Sequence, residues 1–180
     1  MGQPDVKTWR ILIEPTFMQP EVSFPISGAR TTVLVPGYLG EDGEPQYIGK
    51  KDWDALKLTW EAFCAQATAN RTERKIRCAL ARDANKVVQY ATISSDDPLT
   101  ATLVLAPDFL KRFQDVFGSS VLVAMPNRYT VYVFPGEGAD YTNYSRMILG
   151  QYHDSSHPVS REIFNISTAG IKAIGMFEDE

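Results

Sequence analysis

The chain has 180 residues, 44% of them apolar and 22% charged, a balance that excludes a disordered body and suits one domain. Its formal net charge is −4 with a pI near 5.2, so the field as a whole repels nucleic-acid backbones. Two cysteines, Cys64 and Cys78, with no CxxC pair, leave too few ligands for a thiolate zinc site.

From the N-terminus, no basic stretch runs into an apolar segment. Val6 stands where a myristoylation site needs Ser or Thr, and no apolar run nears the ~20 residues that span a bilayer. The expectation is a cytoplasmic protein. Residues 8–13 read as a strand ended by Pro15, and 15–29, with three prolines and Gly28, as irregular chain. Residues 31–35 are β-branched and apolar, a strand stopped by Pro36-Gly37, and 40–45 form a loop by composition.

The first helix is expected from Asp52, as N-cap, to near Asn70, because Trp53, Leu56, Trp60, Phe63 and Ala67 recur at spacings of three and four. A hairpin follows: 74–82, with Ile76, Cys78 and Leu80 on one face, a turn at 83–85, and a return over 86–93. Residues 99–106 suit a strand or an extended lead-in. Pro107 opens a second helix, with Phe109, Leu110, Phe113, Val116 and Phe117 on one face and Gly118 as its stop. A second hairpin takes 120–125 and 129–134 around a turn at Pro126-Asn127-Arg128. A third helix fits 139–152, with Tyr141, Tyr144, Ile148 and Tyr152 aligned, and a third hairpin occupies 162–177 before an acidic tail, Glu178-Asp179-Glu180.

This order predicts a single α+β domain over residues 1–180. A mainly antiparallel sheet is built from β-hairpins, with about three helices packed on one face in a helix–hairpin succession.

Chemistry is harder to place. Arg71, Arg74, Lys75, Arg77 and Arg82, interrupted by Glu73 and Asp83, read as a solvated helix end running into a strand rather than as a nucleic-acid site. His153 and His157, the only histidines, stand four apart, a spacing at which helical imidazoles can grip one metal ion. Gly150 and Pro158 bracket them, and no third ligand has a set spacing. Cys64 and Cys78 sit in a helical and a strand pattern and are expected as reduced, buried thiols, although a bridge between them is geometrically possible. Gly136-Glu137-Gly138 is a turn without phosphate-loop chemistry, and Asp96-Asp97 is turn chemistry before Pro98. The tip Asn127-Arg128 with Tyr129 is the best candidate binding patch, where the guanidinium could hold a partner's carboxylate in bidentate fashion; the plainer reading is a turn with a solvated arginine.

Several stretches together carry a resemblance. These are Asp96-Asp97-Pro98 through Leu103-Val104-Leu105, Pro107, Phe109 and Leu110, then Val121 to Arg128, then Tyr152 to His157 with Pro158-Val159-Ser160, Ile163-Phe164 and Gly170-Ile171. In patches over roughly residues 50–175 the chain resembles the YtpQ-like family of uncharacterised bacterial proteins. It departs from that pattern at Tyr129, where the family carries an aspartate. The resemblance implies a cytoplasmic bacterial protein and supplies no activity, cofactor or ligand. The resulting expectation is a non-enzymatic protein-binding module without cofactor or metal. Its partner is another protein, neither nucleic acid nor membrane, and homo-oligomerisation stays open. The alternative is a hydrolase or metal-dependent enzyme using His153 and His157 with an acid such as Asp154.

Overall fold

A computed structural model describes residues 3–72 and 75–179. The sequence readings that touch Met1, Gly2, Glu73, Arg74 and Glu180 lie outside the described residues. The α+β class holds, with antiparallel pairing between all named strands, but there are two sheets rather than one.

The first sheet centres on β3 (Thr32–Leu39), which pairs with β1 (Trp9–Pro15) on one side and with β2 (Phe24–Pro25) and β4 (Pro45–Tyr47) on the other. Pro36-Gly37 does not stop β3 as expected. β2 pairs only at Val33 and Leu34 and β4 only from Gly37 on, so the residue without an N–H falls in the gap between two partners. Gly37 is required by close approach: a Cβ there would lie 2.5 Å from Leu12 Cδ1 and 2.7 Å from the Gln46 carbonyl oxygen.

The aromatic stripe of the first helical region packs as read, but the helix is broken. α1 (Lys50–Leu56) starts from Gly49, with Asp52 in its first turn rather than at the cap, and ends at Lys57 with φ 53°. α2 (Trp60–Ala69) restarts from Thr59, whose hydroxyl accepts from the Ala62 N–H. The stripe docks on β1. Trp9 stacks on Phe63 at 5.1 Å between ring centroids, and Trp60 stacks on Phe24 at 4.1 Å.

The second sheet has six strands in the order β10-β9-β7-β8-β6-β5, built from three hairpins: β5 (Arg77–Arg82) with β6 (Val88–Ser94), β7 (Val121–Asn127) with β8 (Thr130–Pro135), and β9 (Glu162–Ser167) with β10 (Gly170–Met176). Both faces of its middle are covered, not one. Leu122, Ala124, Tyr132, Phe134 and Ile163 meet Ile148 and Leu149 of α4 (Ser145–Asp154), which extends a 3-10 turn over Tyr141–Tyr144. The opposite face, with Val121, Val123, Met125, Val131 and Val133, meets Val104, Phe109 and Phe113 together with Ile13 and Ile26 of the first sheet region.

The covering segment differs from its sequence reading. Residues 99–106 are no strand: Thr100–Leu105 is a 3-10 helix that buries Ala101 and Val104. The expected helix over 107–118 reduces to a 3-10 turn, Leu110–Arg112, and a single α-turn, α3 (Gln114–Phe117), capped by Gly118. Phe109, Phe113 and Phe117 pack ring to ring along it, while Val116 is exposed. Three rings driven into one core decide this segment more than helix propensity does. No helix among the described residues is long and apolar enough to cross a membrane.

Candidate functional site

The candidate patch Asn127, Arg128 and Tyr129 is drawn into the molecule. Asn127 is the last residue of β7, and the turn is Arg128-Tyr129 rather than Pro126-Asn127-Arg128. Pro126 lies where the β7–β8 register shifts between Ala124 and Asn127. There β7 turns its carbonyls to a new neighbour: Val159 and Ser160 donate their N–H groups to the Pro126 and Met125 oxygens. The Asn127 Oδ1 accepts from the Tyr129 N–H at 2.9 Å, a local bond that holds the two-residue turn.

Arg128 is then tied on three sides. Its N–H donates to the His157 carbonyl, its own carbonyl accepts from the Ala101 N–H, and its guanidinium Nη2 lies 2.7 Å from Glu14 Oε1 on β1. The side chains of Arg128 and Glu14 are 15% and 4% exposed, so the solvated-arginine reading does not describe this tip. Burial pushes the Glu14 carboxyl above its ordinary 4.5, against the pull of Arg128 and of His157. The Tyr47 hydroxyl, from β4, is buried nearby. Burial and then the Glu14 carboxylate push its pKa up to about 12; the hydroxyl lies near enough to Glu14 and Arg128 to act on both, but among the described residues no partner meets full hydrogen-bond geometry to it. The Tyr129 ring meets the His157 ring edge-on at 6.0 Å.

A second polar knot joins the same two sheets. Glu162 on β9, 2% exposed, accepts from the N–H of Arg30 at 2.6 Å and of Thr31 at 3.3 Å, and from the Thr32 hydroxyl at 2.7 Å. Ser160 adds an Oγ–Oγ bond of 2.6 Å to Thr32 and accepts from the Glu162 N–H. Sequence reasoning missed both glutamates. The available signal was an acid set inside an apolar strand, as in Ile11-Leu12-Ile13-Glu14, where the strand has no water to offer the carboxylate.

The two histidines do not work together. His153 lies in the last turn of α4 and holds Asp179 at 3.1 Å, whereas His157 lies beyond the helix in a turn, with Ser156 Oγ 2.9 Å from Nδ1. Among the described residues no group of three His, Cys, Asp or Glu side chains gathers to hold a metal ion. Both cysteines are free. Cys64 is half-buried, and burial with Glu61 nearby pushes its thiol up to about 11. Cys78 is exposed on β5, not buried as expected.

The basic stretch splits in space. Arg71 follows α2 and turns inward to donate from Nη1 to the Thr102 carbonyl at 3.1 Å. Lys75, Arg77 and Arg82 stay exposed along the outer margin of the six-stranded sheet. The two margins of that sheet differ. β10 is overlaid at Lys172 by a bridge from Ser27, whose carbonyl accepts from the Ala173 N–H, and a bulge breaks its line between Ala173 and Gly175. β5 pairs only with β6, and five of its six residues are exposed. Comparison with family models, curated proteins and solved structures found no match.

Proposed function

We propose that this chain is a non-enzymatic interaction module that takes up an extended, acidic segment of another protein as an added strand on β5. The observation that carries the reading is an exposed edge with a sign. From Lys75 to Lys86 the β5–β6 hairpin and its lead-in hold four cations against one acid, a net +3 inside a chain of net −4. An edge strand offers a row of unpaired backbone groups, and partners that use such rows gain their main-chain hydrogen bonds there and their specificity from side chains. Arg77 and Arg82 stand five residues apart at the two ends of β5. A second copy of β5 laid antiparallel over its full length would set Arg77 against Arg82, like charge on like. A partner strand with an acid at each end meets opposite charge at both positions. The resemblance to the YtpQ-like family supports a cytoplasmic bacterial setting for this module. Arg128, already holding Glu14, offers a partner little, which favours β5 over the 127–129 tip.

The test uses a synthetic hexapeptide, Glu-Val-Thr-Val-Thr-Glu, and amide hydrogen exchange of the full chain. Protection is expected on β5 amides alone, and Arg77→Glu/Arg82→Glu should remove it while leaving the melting temperature in place. A peptide with Lys in place of both Glu that protects β5 equally well sinks the reading. So does tighter, salt-steep binding of single-stranded nucleic acid to the same strand.

A further inference from the structure

A cleft lies between the end of α2 and the segment that covers the large core. Its widest part is a cavity of about 420 Å³ lined on its polar side by Thr68, Arg71, Thr72 and Arg112, and on its apolar side by Ile76 and Leu103 with Ala106 and Pro107. Two smaller recesses, of about 40 and 20 Å³, open beside it, and both are lined by Arg71, Arg10 and Thr102. Arg71 therefore lies where all three meet.

Among the described residues three arginines and two acids line the cleft, Asp97 in one small recess and Asp108 on the wide cavity. Burial lowers the Arg71 pKa below the ordinary arginine value. Asp108 opposes that shift, and Arg112 and Arg10 add to it. Among the described residues Asp108 is the acid on the wide cavity, and it is already drawn to Arg112, with Oδ2 3.6 Å from Nη2 four residues along. Arg71 and Arg112 both line the wide cavity, with the Thr68 and Thr72 hydroxyls on the same wall, so beyond the bond Arg71 gives to Thr102 they turn a set of N–H and O–H donors toward a space that suits an oxyanion. The apolar wall adds a second requirement, because inorganic phosphate alone would leave Ile76 and Leu103 wet.

We infer that this cleft binds a small organic oxyanion, a carboxylate or phosphate monoester carrying a compact apolar body, with Arg71 and Arg112 holding the charged group. This site is separate from the β5 edge. Arg71 and Arg112 are binding residues here, and Thr68 and Thr72 are hydroxyl donors on the wall.

The experiment titrates the full chain with phenyl phosphate, benzoate and inorganic phosphate at fixed ionic strength. It is read by isothermal calorimetry and by the arginine Nε–Hε signals in NMR. Phenyl phosphate or benzoate should bind about tenfold or more tightly than inorganic phosphate, with the Arg71 and Arg112 signals moving. Arg112→Gln, a change at a half-exposed position, should weaken that binding about tenfold, the worth of one charge-assisted hydrogen bond. Arg71→Gln should do the same or more, with Arg112→Gln as the arm that stands if Arg71→Gln disturbs folding. Arg77→Glu/Arg82→Glu should leave the titration unchanged, which separates this site from the edge strand. Equal, weak responses to all three anions, or binding that survives Arg112→Gln, overturns the inference.

Discussion

Two hairpins of one sheet, β5–β6 and β7–β8, meet opposite fates. β7 is buried at six of its seven residues and β5 is exposed at five of its six. Their tips diverge in the same way. The β5–β6 tip satisfies itself: Asp83 accepts from the Asn85 and Val87 N–H groups, Lys86 takes a φ of 65°, and Arg82 donates to the Lys86 carbonyl. The β7–β8 tip is closed by the Asn127–Thr130 pair and the Asn127 side-chain bond, and sends Arg128 outward to Glu14, Ala101 and His157. A self-contained tip can project into water. A tip whose hydrogen bonds end on distant segments is a clasp. The lesson is that two similar arginine-bearing turns can be a surface and a fastener, and that hydrogen-bond destinations tell them apart.

The comparison breaks first at the clasp. Arg128→Ala leaves Glu14 buried and unpaired, and should cost about 3–5 kcal/mol in urea unfolding; a loss under 1 kcal/mol would mean that the pair does not fasten the sheets. In the strand itself, Met125→Ala should cost about 2–5 kcal/mol by opening a cavity in a fully covered position. At the edge, Leu80→Ala should change stability by no more than about 0.5 kcal/mol, since its side chain is already 41% exposed.

Two finer changes sharpen the clasp. The Glu14 carboxyl has a folded pKa above its ordinary value, so the folded state takes up that proton first as the pH falls. Wild type should therefore gain stability relative to Glu14→Gln between neutral pH and about 4.5, with the gain complete below that value. A gap that shrinks with acid would mean that Arg128, not burial, governs the group. Tyr47→Phe removes a buried hydroxyl without a hydrogen-bond partner, and should leave stability at pH 7 equal to wild type or raised by up to about 1 kcal/mol. It should also reduce the loss between pH 10 and about 12, where the unfolded Tyr47 ionises and the folded one does not, leaving the share that Tyr132 and Cys64 contribute.

Much of the local structure was legible. The three hairpins, the aromatic stripe from Trp53 to Ala67 and the α4 face with Ile148 follow from period-2 and period-3.6 patterns, which report which side of an element must leave water. The break at Lys57 and the 3-10 path over 100–105 were not legible, because an apolar pattern says what to bury and not by which backbone route. The site was less legible still. Arg128 was singled out as a candidate to hold a partner's carboxylate, whereas the carboxylate it holds is Glu14 of its own chain, 114 residues away, which nothing within ten positions of it names.

By itself, then, the sequence determined the α+β class and the antiparallel hairpins, while the place of β5 at the sheet margin came from the strand order. Only the tertiary structure decided that there are two sheets, that Glu14–Arg128 and Glu162–Thr32 fasten them, and that arginines from three segments share one cleft. The physical reason is range. Periodicity is a local response of each element to water, whereas ion pairs, buried carboxylates and clefts are set by which elements end up side by side.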